Sequence, residues 1–361
     1  MKEQKIRILK LVEEGKLSPD EALSLIESLE SEKQEKEAKL TALSTEVIDQ
    51  GEHNKNEHQD TNDFKQSLGT KLMDWVDTAV KKVKEIDLDI NFGKSIDLQH
   101  IFQFPGATFE NIDIHVPNGS VSIQPWGEND IRVECDAKVY RVENNEQARE
   151  TFLSSINCNV EGNRFICSTE KKTLKLNLLV KVPEQVYEQV KVKLFNGPIR
   201  GENLQVGNLK AKTANGVVSF SSITAKKAEF ETANGQIKLA NSKYEKLEAE
   251  TISGIIEFDG VAERADIQSF NGNLMLSIKD HSCETLYAKT TTGNIEILLP
   301  EESRLVGDLK SNLGAVSTLL KDAETSYEKN ETIQKELRFR TSKEPTLTLF
   351  ADSKTGSIVV K

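Results

Sequence analysis

The residues that could do chemistry by type fall into three groups, and spacing decides what each group could do. Glu229, Glu231, Glu248, Glu250 and Glu257 stand at alternate positions of strand-like runs, among lysines. Acid–base work on a glycan needs two carboxylates in unequal environments. Regular alternation with lysine reads instead as a solvated charged face, and nothing in the spacing marks such a pair. Cys135, Cys158, Cys167 and Cys283 lie without CxxC or Cys/His spacing. Three of them fall near strand-like segments, so buried thiols are expected rather than a disulfide or a metal site. His53 and His58 sit in a polar stretch with no cysteine partner and read as solvated side chains. No Walker-type loop, dinucleotide fingerprint, Gly-x-Ser-x-Gly elbow or HExxH helix is present. No catalytic, cofactor-binding or metal-ligating residue is therefore assigned, no cofactor is expected, and the chain is read as a non-enzyme.

The most regular residues are those of a recurring corner. Asn196-Gly197, Asn215-Gly216, Asn234-Gly235, Gly254, Asn271-Gly272 and Gly293 follow one another, with a weaker echo at Gly314, at steps of 19, 19, 19, 18, 21 and 21 residues. A fixed period of this size marks a repeat array. Each unit has two short runs of alternating apolar and polar residues around the corner, such as Ala228–Thr232 and Gln236–Leu239. Glycine suits a corner because it takes positive φ without a Cβ clash, and asparagine tolerates the same region. The asparagine row is thus read as turn chemistry, not as a ligand row. Asn-Gly between alternating runs also signals a β-hairpin, so a meander is the competing arrangement. The near-constant step favours coils, in which Ile237, Ile256, Leu274 and Ile295 stack about 4.8 Å apart as one core ladder. The expected fold is mainly β: a β-solenoid, a single-stranded β-helix-like stack of roughly 19-residue repeats.

The elements around this stack divide the chain. Residues 1–30 read as an αα-hairpin: a first helix ends at Gly15, and Ser18-Pro19-Asp20-Glu21 starts the second with a capping box. Such a hairpin buries little alone, so it is expected to self-associate, dock on the rest of the chain or bind a partner. Its second helix carries acids and no Arg or Lys, which disfavours DNA reading. Residues 31–67 are a polar linker. Residues 68–90 hold an amphipathic helix whose Leu68, Leu72, Trp75, Ala79 and Val83 form one stripe, with Lys81, Lys82 and Lys84 near its C-terminal end. That stripe suits packing against the β-domain or a partner helix or, as the alternative, a membrane surface. The β-region is expected over 109–361, opening near Ile112, with a helix inserted at Asn145–Ser155.

A formal charge of −11 argues against a general nucleic-acid binder. No run approaches the roughly 18 apolar residues of a spanning helix, and the N-terminus lacks the pattern of a signal peptide. A cytoplasmic protein, able to associate peripherally with a membrane, is the expectation.

Residues ILKLVEEGKLSPDEALSLIESL and the TANGxIxL units together resemble a bacterial family of YvlB/LiaX type. The first resembles its SHOCT-like helical module, the second its adhesin-type β-repeat domain of unknown function. The resemblance covers the first 30 residues and most of the chain after Phe109. It implies a non-enzymatic protein of Gram-positive bacteria connected with cell-envelope stress and the response to antimicrobial peptides, binding a protein or peptide, with membrane proteins of that response among the expected partners. It supplies no ligand-contact motif. The alternatives kept beside it are a glycan-active β-helix enzyme and a peripheral membrane protein using the 68–86 helix.

Overall fold

The computed structural model describes residues 94–331 and 334–361. The hairpin, the linker and the Leu68–Val83 stripe lie outside the described residues.

The chain first builds an irregular end. This consists of β1 (Ser95–Phe104), β2 (Asn111–Trp126), β3 (Ile131–Tyr140), the helix α1 (Asn145–Ser155), β4 (Asn157–Glu161), β5 (Arg164–Ser168) and β6 (Leu174–Pro183). Regular coils follow as β7 (Val186–Asn196), β8 (Ile199–Glu202), β9 (Gln205–Asn215), β10 (Val218–Ser221) and β11 (Thr224–Asn234). In β12 (Ile237–Ser253) and β13 (Ile256–Asn271) one strand turns the corner and serves both sides of its coil. β14 (Leu274–Ile278), β15 (Thr285–Thr292) and β16 (Ile295–Leu298) complete the regular part.

Two walls result. The first runs β4–β5–β2–β7–β9–β11–β12–β13–β15, and from β2 onward its neighbours are parallel. The second runs β1–β3–β6–β2–β8–β10–β12–β13–β14–β16. The parallel register excludes the meander, since hairpins pair antiparallel. Ile199, Val218, Ile237, Ile256, Leu274 and Ile295 are successive register partners and all buried, which is the expected ladder. Across the walls Phe220, Phe230, Tyr244 and Phe258 form a chain of ring contacts with centroids 5.0–6.2 Å apart.

Three features differ from the sequence expectation. Strand pairing begins at Ser95, upstream of Ile112, because Ile96, Leu98, Phe102 and Phe104 alternate and cover the open edge of β3. Second, positive φ is not what the corner glycines share. Gly197 has φ +130, but Gly216, Gly235 and Gly272 do not adopt that region. Their common property is proximity: a Cβ on Gly216, Gly235 or Gly272 would lie 2.1, 1.8 or 1.8 Å from the carbonyl oxygen of the previous corner glycine. Positive φ is found at Gly197, Gly254 and Gly293 of this corner, and also at the opposite corner at Asn203, Ser222 and Asn241, again 19 residues apart.

Third, the coils do not end in sequence order. β17 (Leu305–Ser311), β18 (Val316–Thr318), β19 (Glu324–Asn330) and β20 (Lys335–Arg340) precede β21 (Leu347–Ser353) and β22 (Ile358–Val360). Yet β21 lies between β15 and β17, and β22 between β16 and β18. Gly314 therefore stacks on Gly356, and Gly356 on Gly293. The side chains explain the order. β21 carries Leu347, Leu349 and Ala351 inward and continues the core on both sides. β17 has Gly307 at an inward position, and the ring of Phe339 from antiparallel β20 fills the space a Cβ would take, 2.4 Å away. That aromatic plug closes the stack.

Candidate functional site

The corner residues are fully engaged with one another. Asn196 Nδ2 donates to Asn118 Oδ1, Asn215 Nδ2 to Asn196 Oδ1 and Asn234 Nδ2 to Asn215 Oδ1, at 2.8–3.0 Å. Behind them, Thr213, Thr232, Thr251, Ser269 and Thr290 donate their hydroxyls to the carbonyls of Gly197, Gly216, Gly235, Gly254 and Gly272. The asparagine amides and the corner carbonyls are thus spent on the neighbouring coil, in the manner of a structural ladder. Asn271, Gly254 and Gly293 continue the corner with backbone bonds: Gly254 N–H donates to Asn271 O and Gly272 N–H to Thr292 O.

The outer face of the first wall is the stronger candidate. Strand alternation sends two columns outward. One reads Asp113, Lys191, Lys210, Glu229, Glu248, Asp266 and the other His115, Lys193, Lys212, Glu231, Glu250, Gln268. The charges are therefore banded: four lysines on two adjacent strands, then five carboxylates on three. At the seam Lys210 meets Glu229 at 2.6 Å, and Lys212 bridges Glu229 and Glu231. Lys246 and Lys227 hold Glu248 at 2.8 and 3.8 Å.

This banding makes the carboxylates unequal, contrary to the sequence expectation of a uniform solvated face. Burial raises Glu231 to about 7, with its hydrogen bond to Glu229 adding to the shift. Burial also raises Glu250 to about 8, reinforced by the charges of Glu231, Asp266 and Glu248. Asp266, only 4% exposed, rises to about 6, again from burial. Glu229 moves the other way: its burial is outweighed by the hydrogen bond from Glu231 and by Lys210 and Lys212, which hold it well below the usual carboxylate range. On the basic side, burial followed by the charges of Lys191 and Lys212 lowers Lys193. The sequence concealed this because lysine and glutamate alternate with apolar residues along each strand, whereas the bands run across strands.

Unequal carboxylates are one requirement of glycan chemistry; a concave site to hold the sugar is another. The raised and lowered groups lie on a sheet face, where Glu229 and Glu231 are tied into ion pairs with Lys210 and Lys212. Two cavities among the described residues lie elsewhere. One, about 410 Å³, is lined by Gln103, Trp126, Glu128 and Asp130 at the irregular end. The other is a narrow space beside Cys283. Three or more His, Cys, Asp or Glu groups placed to hold a metal ion do not occur among the described residues, and no helix among them is long and apolar enough to cross a membrane.

Comparison with known proteins extends these observations. Residues 109–353 match the profile of a family described as Toastrack DUF4097, and residues 3–34 match that of a SHOCT-like domain. The uncharacterised protein YvlB of Bacillus subtilis strain 168 is 54% identical over 363 residues, spanning 100% of this chain and 99% of that protein. Among solved structures, an adhesin candidate from Parabacteroides merdae superposes with a TM-score of 0.37 at 13% identity, covering 73% of this chain and 96% of that one. An adhesin candidate from Bacteroides fragilis does so with a TM-score of 0.35 at 12% identity, covering 73% and 97%.

Proposed function

The chain belongs to the Toastrack DUF4097 family and carries a SHOCT-like segment at its N-terminus, and from that premise we propose that it is a non-enzymatic binding scaffold of the cell-envelope stress response. The observation that carries this reading is the banded outer face of the first wall. Lys191, Lys193, Lys210 and Lys212 lie beside Glu229, Glu231, Glu248, Glu250 and Asp266 on a rigid sheet. The lysine band of this face recognises an acidic stretch of a polypeptide, because complementary potentials steer the encounter and fix its register. In this reading residues 1–30 mediate association. Residues 31–67 give reach, and Leu68, Leu72, Trp75, Ala79 and Val83 form a second contact, with a partner or a membrane surface. The protein acts from the cytoplasmic side.

The test uses the full chain, immobilised and exposed to solubilised envelope proteins. Wild type should retain a defined partner at about 0.05 M salt and release it near 0.5 M, as screening of exposed charge requires. The double variant Lys191→Glu/Lys193→Glu should fail to retain it at either salt. Equal retention by both proteins would remove the banded face from the function. Turnover of envelope glycan fragments by the wild type, abolished in Glu231→Gln, would replace the scaffold with an enzyme.

A further inference from the structure

Three of the four cysteines come together at the irregular end. Cys158 of β4 and Cys167 of β5 are direct partners in an antiparallel pair. Directly opposed residues of such a pair place their side chains on the same side of the sheet, with Cα atoms about 4.5 or 5.5 Å apart. Either separation lies within the span a disulfide bridges without backbone movement. Both side chains point inward: Cys167 is fully buried, and Cys158, half-buried, packs against the core. Cys135 reaches the same region from β3 of the other wall and is buried. All four cysteines are free thiols.

The surroundings determine how this pair reacts. Contact with Cys167, followed by burial, holds the Cys158 thiol far above its ordinary range. Burial does the same for Cys135, with Cys167 adding to it. The closed protein therefore keeps Cys158 and Cys135 as thiols, and the attacking Cys158 thiolate forms only on opening. Opening is local, because β4 is a five-residue edge strand paired on one side only.

We propose that Cys158 and Cys167 form a thiol–disulfide site, oxidised by a small disulfide of the glutathione class to a cross-strand disulfide that fastens β4 to β5. The more accessible Cys158 attacks the external disulfide as thiolate, forming a mixed disulfide and releasing one small thiol. Cys167 then attacks the Cys158 sulfur and releases the second. Two protein thiols lose two electrons and two protons, and one small disulfide becomes two small thiols. Cys135, across the core instead of on the neighbouring strand, remains a thiol. So does Cys283, whose burial raises it to about 12 and whose Sγ lies 3.8 Å from Thr285 O.

The test treats the full chain with oxidised glutathione and maps its peptides without reduction. The expected result is a Cys158–Cys167 linkage, loss of two of the four free thiols, and slowing of β4 amide exchange on the order of tenfold to a hundredfold. Cys135→Ser should give the same linkage, and Cys158→Ser should give none. The inference is overturned by glutathione adducts that accumulate on Cys158 in the wild type without the internal bond. A Cys135–Cys167 linkage overturns it as well. So do four thiols that persist after β4 amides have exchanged, since access was then available and unused.

Discussion

At the scale of single residues, the corner glycines and the raised carboxylates make opposite demands. A Cβ on Gly235 would meet the carbonyl oxygen of Gly216 at 1.8 Å, and a backbone atom in a parallel ladder cannot swing aside. Gly235→Ala should cost at least about 3 kcal/mol in urea unfolding, beyond the usual range for overpacking. Gly127→Ala, with nothing within 4 Å, should stay within about 0.5 kcal/mol. Sequence periodicity located the corner glycines but not this reason, because close approach depends on the coil beneath. The carboxylates govern pH dependence. Unfolded, Glu231, Glu250 and Asp266 titrate near pH ~4; folded, they titrate at about 7, about 8 and about 6. Between those limits the folded chain holds the extra protons, so stability falls as pH rises from about 4.5 to about 8. Below about pH 4 it falls again, as Glu229 and Glu134, both lowered with lysine partners, take up protons and weaken those pairs. Glu250→Gln should therefore stabilise the protein on the order of 2 kcal/mol at pH 8 and change little near pH 5, after allowance for solvent screening. Thermal melts at the two pH values check this; equal gains at both would contradict the raised carboxyl.

At the scale of elements, the threaded C-terminal coil is the feature periodicity could not order. Gly314 and Gly356 both satisfy the corner pattern, and each could stack on Gly293. What decides is the side facing away: β17 has Gly307 and its Phe339 plug, while β21 is apolar enough to be covered on both sides. The alternation of β1 was legible in Ile96, Leu98, Phe102 and Phe104, but the strand stands outside the repeat and so escaped it. The approach of Cys158 to Cys167 was missed because the mostly polar β4 does not read as a strand, although Gly162-Asn163 between it and β5 has the form of a two-residue hairpin loop. Removing residues 344–361 takes away β21 from between β15 and β17 and β22 from between β16 and β18. Repeat arrays lose stability locally, coil by coil. Limited proteolysis of this truncated chain should therefore cut between Leu298 and Arg340 while the coils from Asn111 to Ile297 stay protected. Protection of 305–318 at the wild-type level would mean that β17 had slipped directly onto β15. Within the intact chain, Leu349→Ala should cost about 3 kcal/mol, as for other fully buried leucines.

At the scale of the whole described unit, stability and surface charge share one period, so they can be separated only by removing a complete coil. Deleting residues 217–235 joins Gly216 to Gln236 and preserves the corner sequence. In the register of the shortened chain Ile199 stacks on Ile237, Lys210 faces Glu248 and Lys212 faces Glu250. Core, asparagine ladder and threonine bonds all have equivalents there, with Asn234 and Thr232 lost as a set. It should fold with the same circular dichroism per residue and be shorter by about 4.8 Å along the stack in small-angle scattering. A deletion of nine residues in the same place should not fold, because it removes only part of a coil and leaves the strands that remain without their register partners. The banded face would also change in a defined way. With Glu229 and Glu231 gone and Lys212 beside it, Glu250 loses one of the charges that raise it and gains a cation. Its pKa should drop toward the ordinary carboxylate value, and the loss of stability between about pH 5 and pH 8 should shrink accordingly. A shortened protein that folds but keeps the full pH slope would show that the slope arises away from this face.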